Sequence, residues 1–182
     1  MFGNDNITLR AVEPEDLEFL YSCENNTQIW RYGSTTAPYS RFALKQYIAD
    51  AQNDIYTNKQ LRLIICTRLN PQKAIGAVDL FDFDPFHQRA SVGIVIDGQE
   101  NQRHGYAEQS LQLIAEYCFT FLNLHQLHCA IAANNEPSIR LFGKLGFIQC
   151  GQRIDWIKTE NGFIDELEFQ LIAPSSRPKQ KE

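Results

Sequence analysis

The stretch 94–107 reads Ile-Val-Ile-Asp-Gly-Gln-Glu-Asn-Gln-Arg-His-Gly-Tyr-Ala, and it predicts a strand end, a polar loop and the start of a helix. The helix is indicated by apolar residues that recur at helical spacing, among them Leu111 and Ile114. At such a junction the N–H groups of the loop and of the first helical turn converge, and Gly105 lets a ligand approach the backbone closely. The junction therefore predicts an anion site, with an ordinary strand-to-helix loop as the alternative.

Apolar periodicity on both sides of this junction predicts a mixed α/β fold. Alternating branched residues predict strands, and apolar residues three and four apart predict amphipathic helices. A turn is predicted at Asn70-Pro71, and an irregular loop with large aromatic side chains is predicted for 25–40. The predicted strands are 7–10, 61–66, 74–83, 89–96, 127–132, 147–157 and 163–172, and the predicted helices begin at Pro14 and cover 42–51, 105–122 and 135–145.

The composition indicates a folded protein without a basic surface. The chain has 182 residues, 43% of them hydrophobic, and a formal net charge of −5. Because non-specific nucleic-acid binding depends on positive charge, we expect no nucleic-acid partner. No stretch approaches the roughly 18 apolar residues of a membrane span, and Asn4, Asp5 and Asn6 fall where a signal peptide would be apolar. We therefore expect a cytoplasmic protein with no membrane association.

The cysteines and histidines do not form a metal-binding pattern. Five cysteines lie far apart with no C-x-x-C pair, which favours reduced, mostly buried thiols. His125 and His128 with Cys129 lack a third ligand, so packing or capping is the favoured interpretation and we expect no metal. The sequence also lacks the P-loop, Rossmann, G-x-S-x-G and H-E-x-x-H motifs.

Two motifs resemble those of the GNAT (GCN5-related) N-acetyltransferase family. Gln102-x-x-Gly105-x-Ala107 is similar to the Q/R-x-x-G-x-G/A signature of that family, and it lies at the junction described above. Downstream, 135–147 reads Asn-Glu-Pro-Ser-Ile-Arg-Leu-Phe-Gly-Lys-Leu-Gly-Phe, which resembles the motif N-x-x-A/S-x-x-L-Y-x-K-x-G-F. The resemblance covers 6–172 and includes the spermidine/diamine acetyltransferase branch, with the ribosomal-protein N-terminal acetyltransferases as near relatives.

The resemblance implies a particular version of the mixed fold. It is a mostly antiparallel sheet of about seven strands flanked by about four helices. In that fold the strands predicted at 89–96 and 127–132 part, and the cleft between them admits the pantetheine of acetyl-CoA. On this basis 1–174 is a single acetyltransferase domain, and 175–182 is a polar tail that we expect to be disordered.

The same resemblance assigns residues to acetyl-CoA, the expected co-substrate. The strand end would bind the pantetheine amides through its backbone, and the loop would cradle the pyrophosphate. Lys144 would meet the nucleotide phosphates, with a solvated surface position as the alternative. The residues implied at the cofactor are Ile94, Val95, Ile96, Gln102, Arg103, His104, Gly105, Tyr106, Ala107, Asn135, Phe142 and Lys144.

The implied reaction is direct attack of a neutral primary amine on the thioester, and the sequence departs from the family at two catalytic positions. Phe142 stands where many members have a tyrosine that protonates the thiolate, and Ser91 stands where relatives often have a glutamate. Ser138, one helical turn before Phe142, is our hypothesis for the proton donor, with a simple helix-surface hydroxyl as the alternative. Asp79 is our hypothesis for the base, with a water chain to bulk solvent as the alternative.

The sequence identifies the acceptor amine less specifically than it identifies the cofactor. We expect Trp30, Tyr32, Tyr39 and Ser91 to bind it, with a core position for Trp30 as the alternative. The loop 34–39 has no carboxylate for a polycation, which argues against a close copy of a polyamine enzyme. The predicted function is acetylation of a small, polyamine-like amine. Acetylation of a protein N-terminus, and acyl-CoA sensing with little catalysis, are the alternatives. We expect a monomer or a homodimer.

Overall fold

An eight-stranded sheet organises the computed structural model, which describes residues 2–30 and 35–174. The order across the sheet is β1-β2-β3-β4-β5-β6-β8-β7, and neighbours pair antiparallel except for parallel β5 and β6. The predicted mixed, mostly antiparallel sheet is confirmed. The strands are β1 (Phe2–Gly3), β2 (Ile7–Ala11), β3 (Leu61–Thr67), β4 (Asn70–Asp84), β5 (Arg89–Ile96), β6 (Gln126–Ala132), β7 (Ile148–Thr159) and β8 (Gly162–Ile172).

Six α-helices lie within the described residues, and local signals fix the ends of the longer ones. The side chain of Ser40 caps one helix by accepting from the N–H of Ala43 at 3.1 Å, and Asn135 caps another. Within the described ranges, none of these helices is long and apolar enough to cross a membrane. The helices are α1 (Leu17–Glu24), α2 (Thr27–Trp30), α3 (Arg41–Asp50), α4 (Ile55–Asn58), α5 (Tyr106–Thr120) and α6 (Glu136–Lys144).

Helices cover both faces of the central strands, which are therefore apolar on both sides. Ile64 of β3 packs with Leu20 of α1 and Leu44 of α3. The adjacent Ile65 points to the opposite face and belongs to the core that contains Ile114 of α5. The two faces of the sheet thus carry two separate groups of helices: α5 packs on one face, and α1 and α3 pack on the other.

The structure confirms the predicted strands and helices and adds short elements that carry no periodic signal. β1, α2 and α4 have two or four residues each, which is too short for a period to show. α2 lies inside the predicted irregular loop, where the indole N–H of Trp30 donates to the carbonyl of Glu24 at 2.6 Å. The rest of that loop at 31–34 and the predicted tail at 175–182 lie outside the described residues.

The β3–β4 hairpin turns two residues earlier than the sequence predicts. Asn70 and Pro71 already belong to β4, and the turn consists of Arg68 and Leu69. The register shifts between Cys66 and Thr67, so that Pro71 has no partner in the ladder. A residue without an N–H group is suited to such an irregular position.

Candidate active site

The parallel pairing of β5 and β6 is short, and the two strands part beyond it. Their register covers only three pairs, the last of which is Ser91 with His128. β5 then continues to Ile96 against β4, while β6 continues to Ala132 against β8. We call the end of this pairing at Ser91 and His128 the fork. Beyond it, the edge of β5 that faces β6 has no ladder partner within the described residues, as the resemblance implies.

The loop that follows β5 is shaped by left-handed backbone conformations. Arg103 has φ of 63° and Gly105, the N-cap of α5, has φ of 76°. The loop from Gln102 to Gly105 is exposed, and the ring of His104 stacks on that of Tyr106 with centroids 5.4 Å apart. The first N–H groups of α5 have no partner within the helix. The predicted phosphate loop is thus exposed, and it leads directly into the N-terminal turn of α5.

The predicted cofactor residues on α6 divide between the core and the surface. The Oδ1 atom of Asn135 accepts from the N–H of Ser138 at 3.3 Å, so this oxygen serves as the helix cap. Phe142 is buried, with its ring edge-to-face on Phe147 at a centroid distance of 5.0 Å. Lys144 binds the Oε2 atom of Glu108, in the first turn of α5, at 2.7 Å. This exposed ion pair links α6 to the N-terminal turn of α5.

A cavity of about 1020 Å³ opens at the fork. Ser91 and His128 alternate with residues that pack in the core with α5, so their side chains point to the opposite face of the sheet. Trp156 of β7 and Phe81 of β4 supply aromatic surface. The lining residues are Phe81, Asp82, Asp84, Arg89, Ser91, Val92, Gly93, Gln126, His128, Cys129, Ala130, Cys150, Arg153, Trp156, Ile157, Glu166, Glu168, Phe169 and Gln170.

The charges that line the cavity are predominantly acidic. It has four carboxylates and two guanidinium groups, and both guanidinium groups are already paired. Arg89 binds Asp84 at 3.2 Å, and Arg153 binds Glu166 at 2.6 Å and also contacts a carboxylate oxygen of Glu168. Among the described residues, the remaining carboxylate, Asp82, has no ion-pair partner. The cavity is therefore chemically suited to a cation.

Ser91, His128 and Asp82 form a polar cluster at the fork. The Oγ atom of Ser91 lies 3.3 Å from both ring nitrogens of His128 and 3.4 Å from the Oδ2 atom of Asp82. Asp82 reaches this position from an irregularity in the β4–β5 pairing, and its φ of 50° is left-handed. Burial lowers the pKa of His128 and the charge of Arg89 lowers it further, whereas Asp82 and Glu168 oppose the shift. The imidazole is therefore neutral near pH 7.

His128 and Asp82 are the members of this cluster that sequence reasoning missed. The sequence favoured packing or capping for His128, whereas the structure also places it in the lining of the cavity. The usable signal is alternation: Leu127 and Cys129 are buried in the core, so the residue between them faces the other side. Within the described part of the chain, no group of three His, Cys, Asp or Glu side chains could hold a metal ion.

Asp79 lies apart from this cluster, in an ion pair beneath the helices. Its two carboxylate oxygens accept from Arg62 at 2.6 and 2.9 Å, and Arg62 also binds Glu24 of α1. The guanidinium lies over the ring of Tyr47 of α3. Asp79 is not among the cavity-lining residues described above. The geometry therefore argues against our hypothesis of Asp79 as a base and favours a structural role.

The aromatic residues predicted at the acceptor lie elsewhere. Trp30 is half-buried against α1, and the backbone of Tyr39 is hydrogen-bonded on both sides to the amide of Asn25. Neither residue is among those that line the cavity, whereas Ser91 is. Tyr32 falls outside the described residues. The prediction of an acceptor pocket built from Trp30 and Tyr39 does not match the cavity, whose aromatic lining residues are Phe81, Trp156 and Phe169.

Comparison with known proteins identifies relatives of the whole arrangement. The chain is 30% identical over 153 residues to spermidine N(1)-acetyltransferase of Vibrio cholerae, which covers 84% of each protein. A crystal structure of spermidine N-acetyltransferase from Vibrio cholerae in complex with CoA and spermine superposes with a TM-score of 0.83 at 26% identity, covering 93% of this chain and 97% of that one.

A second solved structure bears on assembly. It is a dodecameric structure of the Vibrio cholerae enzyme, with a TM-score of 0.79, 25% identity and coverage of 98% of this chain and 100% of that one. Our expectation of a monomer or homodimer stays a prediction, as does a cytoplasmic location.

A family model identifies the domain. Residues 6–148, which are most of the chain, match the model of the acetyltransferase (GNAT) domain. The chain belongs to the GNAT family of N-acetyltransferases.

Proposed function

We propose that this N-acetyltransferase takes the acetyl group from acetyl-CoA and transfers it to a small cationic amine. The observation that carries the proposal is the fork. Beyond the fork, the edge of β5 has no ladder partner among the described residues and leads into the loop before α5, and the acidic cavity opens at the fork itself. An extended thioester cofactor and an amine could therefore approach the same point from opposite faces.

The cofactor side of the fork, residues 92–107, fits a CoA molecule. The free edge of β5 offers alternate N–H and C=O groups to an extended chain of amides, as a sheet edge offers them to a peptide. The loop and the first turn of α5 offer N–H groups to a pyrophosphate. A Cβ atom at Gly105 would meet only the amide of Gln109, at 3.5 Å, so the space above this residue is open to a ligand.

The amine side of the fork is the cavity around Ser91, and its charge favours a cation. Asp82 is placed to hold an ammonium group because it lies beside Ser91 and has no ion-pair partner among the described residues. Phe81 offers an aromatic face to the same ligand, and Trp156 offers the face that Arg153 does not cover. Relatives described as spermidine N(1)-acetyltransferases, and the spermine in the Vibrio cholerae complex, support a polyamine-like acceptor.

Alignment of the two reactants at the fork would supply much of the catalysis. The amine attacks as its neutral form, although an alkyl ammonium has a pKa of about 10, so a proton must leave it. Phe142 has no proton for the leaving thiolate. Ser138, half-buried one turn away on α6, remains our proposed donor, directly or through water.

A thiol-release assay with acetyl-CoA tests the proposal. The panel would contain spermidine, spermine, small aromatic amines, aminoglycosides and short peptides with free N-termini. Turnover with the polyamines is the expected result. Turnover with the peptides alone would instead indicate a protein N-terminal acetyltransferase. No turnover, with a melting temperature that acetyl-CoA still raises, would favour an acyl-CoA sensor.

A further inference from the structure

We propose that His128, acting through Ser91, accepts the proton that the acceptor's ammonium group loses before it attacks. This inference rests on the proposed function and names the base that the function requires. By the family resemblance given in the sequence analysis, Ser91 stands where a glutamate is often found. The proton path therefore has to be assembled differently in this chain.

Geometry supports this path because the two residues form the last pair before the strands part. Ser91 is 4% exposed, yet its hydroxyl lines the cavity, and it lies 3.3 Å from both ring nitrogens of His128. Both ring nitrogens are therefore within hydrogen-bond distance of Oγ, and the tautomer of the ring decides which of them accepts. A hydroxyl can accept one proton while it donates another, so Ser91 can relay a proton to the imidazole.

The charged groups around His128 come from four strands. They are Arg89 on β5, Asp82 on β4, Glu168 on β8 and Arg153 on β7, which is paired with Glu168. Burial and Arg89 keep the pKa of His128 below its ordinary value, so the ring is an unprotonated base near neutral pH. Once protonated, the ring faces Asp82 and Glu168, which favour its charged form.

The order of the cluster distinguishes it from a hydrolase triad. In a triad the carboxylate orients the histidine and the serine attacks the substrate. Here the hydroxyl of Ser91 donates to Asp82, so the serine lies between a carboxylate and an imidazole. This order suits a relay in which Asp82 holds the ammonium group and Ser91 passes its proton on.

The proposed step balances as follows. The ammonium group R–NH₃⁺ gives one proton to Ser91 Oγ, which gives its own proton to His128, leaving R–NH₂ and an imidazolium. The amine nitrogen then forms a bond to the thioester carbonyl carbon, and the carbon–sulfur bond breaks. The nitrogen loses its second proton as the thiolate gains one, so the products are the amide and CoA thiol. His128 returns its proton to solvent.

The test is the pH dependence of kcat/KM for the amine in the intact protein. In the wild type, kcat/KM falls on the acid side as His128 becomes protonated, below the ordinary histidine value of 6.5. His128→Gln keeps a polar side chain but cannot take the proton, so we expect kcat to fall by about 100-fold and this inflection to vanish. Ser91→Ala should lose a similar factor, and Ser91→Thr, which restores the hydroxyl, should recover most of it.

His125→Gln is the matched control. His125 lies three residues earlier, just before β6, and is not among the residues that line the cavity. Its variant should keep the wild-type rate and pH profile. The KM for acetyl-CoA should be unchanged in all four variants, which separates proton transfer from cofactor binding. Imidazole added to His128→Ala should restore part of the lost rate, a response that a structural role would not give.

Two results would overturn the inference. A His128→Gln variant that keeps the wild-type pH profile and rate would show that the base is elsewhere while the proposed function stands. A wild-type protein that acetylates no amine at any pH would refute the proposed function, and the role of His128 with it.

Discussion

The two sides of the fork are built from different parts of the polypeptide. The cofactor side uses backbone groups, at the free edge of β5 and in the left-handed loop before α5. The amine side uses side chains, with Asp82, Ser91 and His128 at its centre. Backbone groups are the same for any sequence that folds in this way, whereas side chains change with each substitution. Cofactor recognition can therefore persist within a family while the acceptor and its proton path change.

The largest expected effect comes from the cofactor side. If backbone groups bind acetyl-CoA there, a change in the backbone conformation at one residue should weaken its binding. Gly105→Val places a β-branched residue at φ of 76°, which costs about 1–3 kcal/mol of strain or moves the loop. We expect acetyl-CoA to bind roughly 100-fold more weakly, as measured by calorimetry. Gly143→Ala is the control, because a Cβ atom there meets nothing within 4 Å. Unchanged affinity of Gly105→Val for acetyl-CoA would contradict the conclusion that backbone groups of this loop bind the cofactor.

A second test asks whether a carboxylate beneath the helices contributes to the chemistry. Asp79→Asn removes a charged partner of Arg62, whose side chain is 15% exposed, and should lower the free energy of unfolding by about 1.5–3 kcal/mol. Urea denaturation measures this loss. We expect the acid limb of the rate profile to keep its position, since the proposed proton path does not include Asp79. A profile that lost this limb would restore Asp79 as the base.

On the amine side, a smaller effect should fall on the acceptor alone. Asp82→Asn removes the carboxylate that has no ion-pair partner among the described residues, so the KM for a polyamine should rise about tenfold. The KM for acetyl-CoA should stay the same, and so should the KM for any acceptor that binds uncharged. Asp50→Asn, at the end of α3, is the control. Equal effects of the two substitutions would mean that general surface charge, rather than the cavity, attracts the amine.

The smallest effect concerns the leaving group. Ser138→Ala removes the proposed proton donor, and we expect kcat to fall by about two- to fivefold because water can replace the hydroxyl. The fall should be greatest at high pH, where water and buffer supply fewer protons. The backbone N–H of Ser138 still binds Asn135, so the helix cap survives the substitution. A kcat unchanged across pH would end this role for Ser138.

The same contrast explains what the sequence could predict. The cofactor side follows from one continuous stretch, since the strand end, the loop and the helix start all lie within 94–107. Its signals are local: branched residues, a glycine and a period. The long helices were equally predictable from the sequence, because apolar residues recur in them at helical spacing and Asn135 caps one of them.

The amine side could not be read in this way, because its residues come from five strands that meet only after folding. Nothing local connects Asp82 with His128, and only the alternation around His128 indicated that its ring faces away from the core. The aromatic residues at Trp30 and Tyr39 attracted attention in the sequence, yet local hydrogen bonds hold them away from the cavity. Their part in acceptor binding stays a prediction.

The shortness of the β5–β6 pairing has a mechanical consequence. Across the described residues, only three residue pairs join the strands on one side of the gap to those on the other. The sheet thus consists of two parts, β1–β5 and β6–β8, that are joined by this short pairing. A molecule lying along the unpaired edge of β5 would act as an added strand and fill the gap between the two parts. Amide hydrogen exchange in 92–96 should then slow on loading with acetyl-CoA, so the ligand would become part of the framework that holds it.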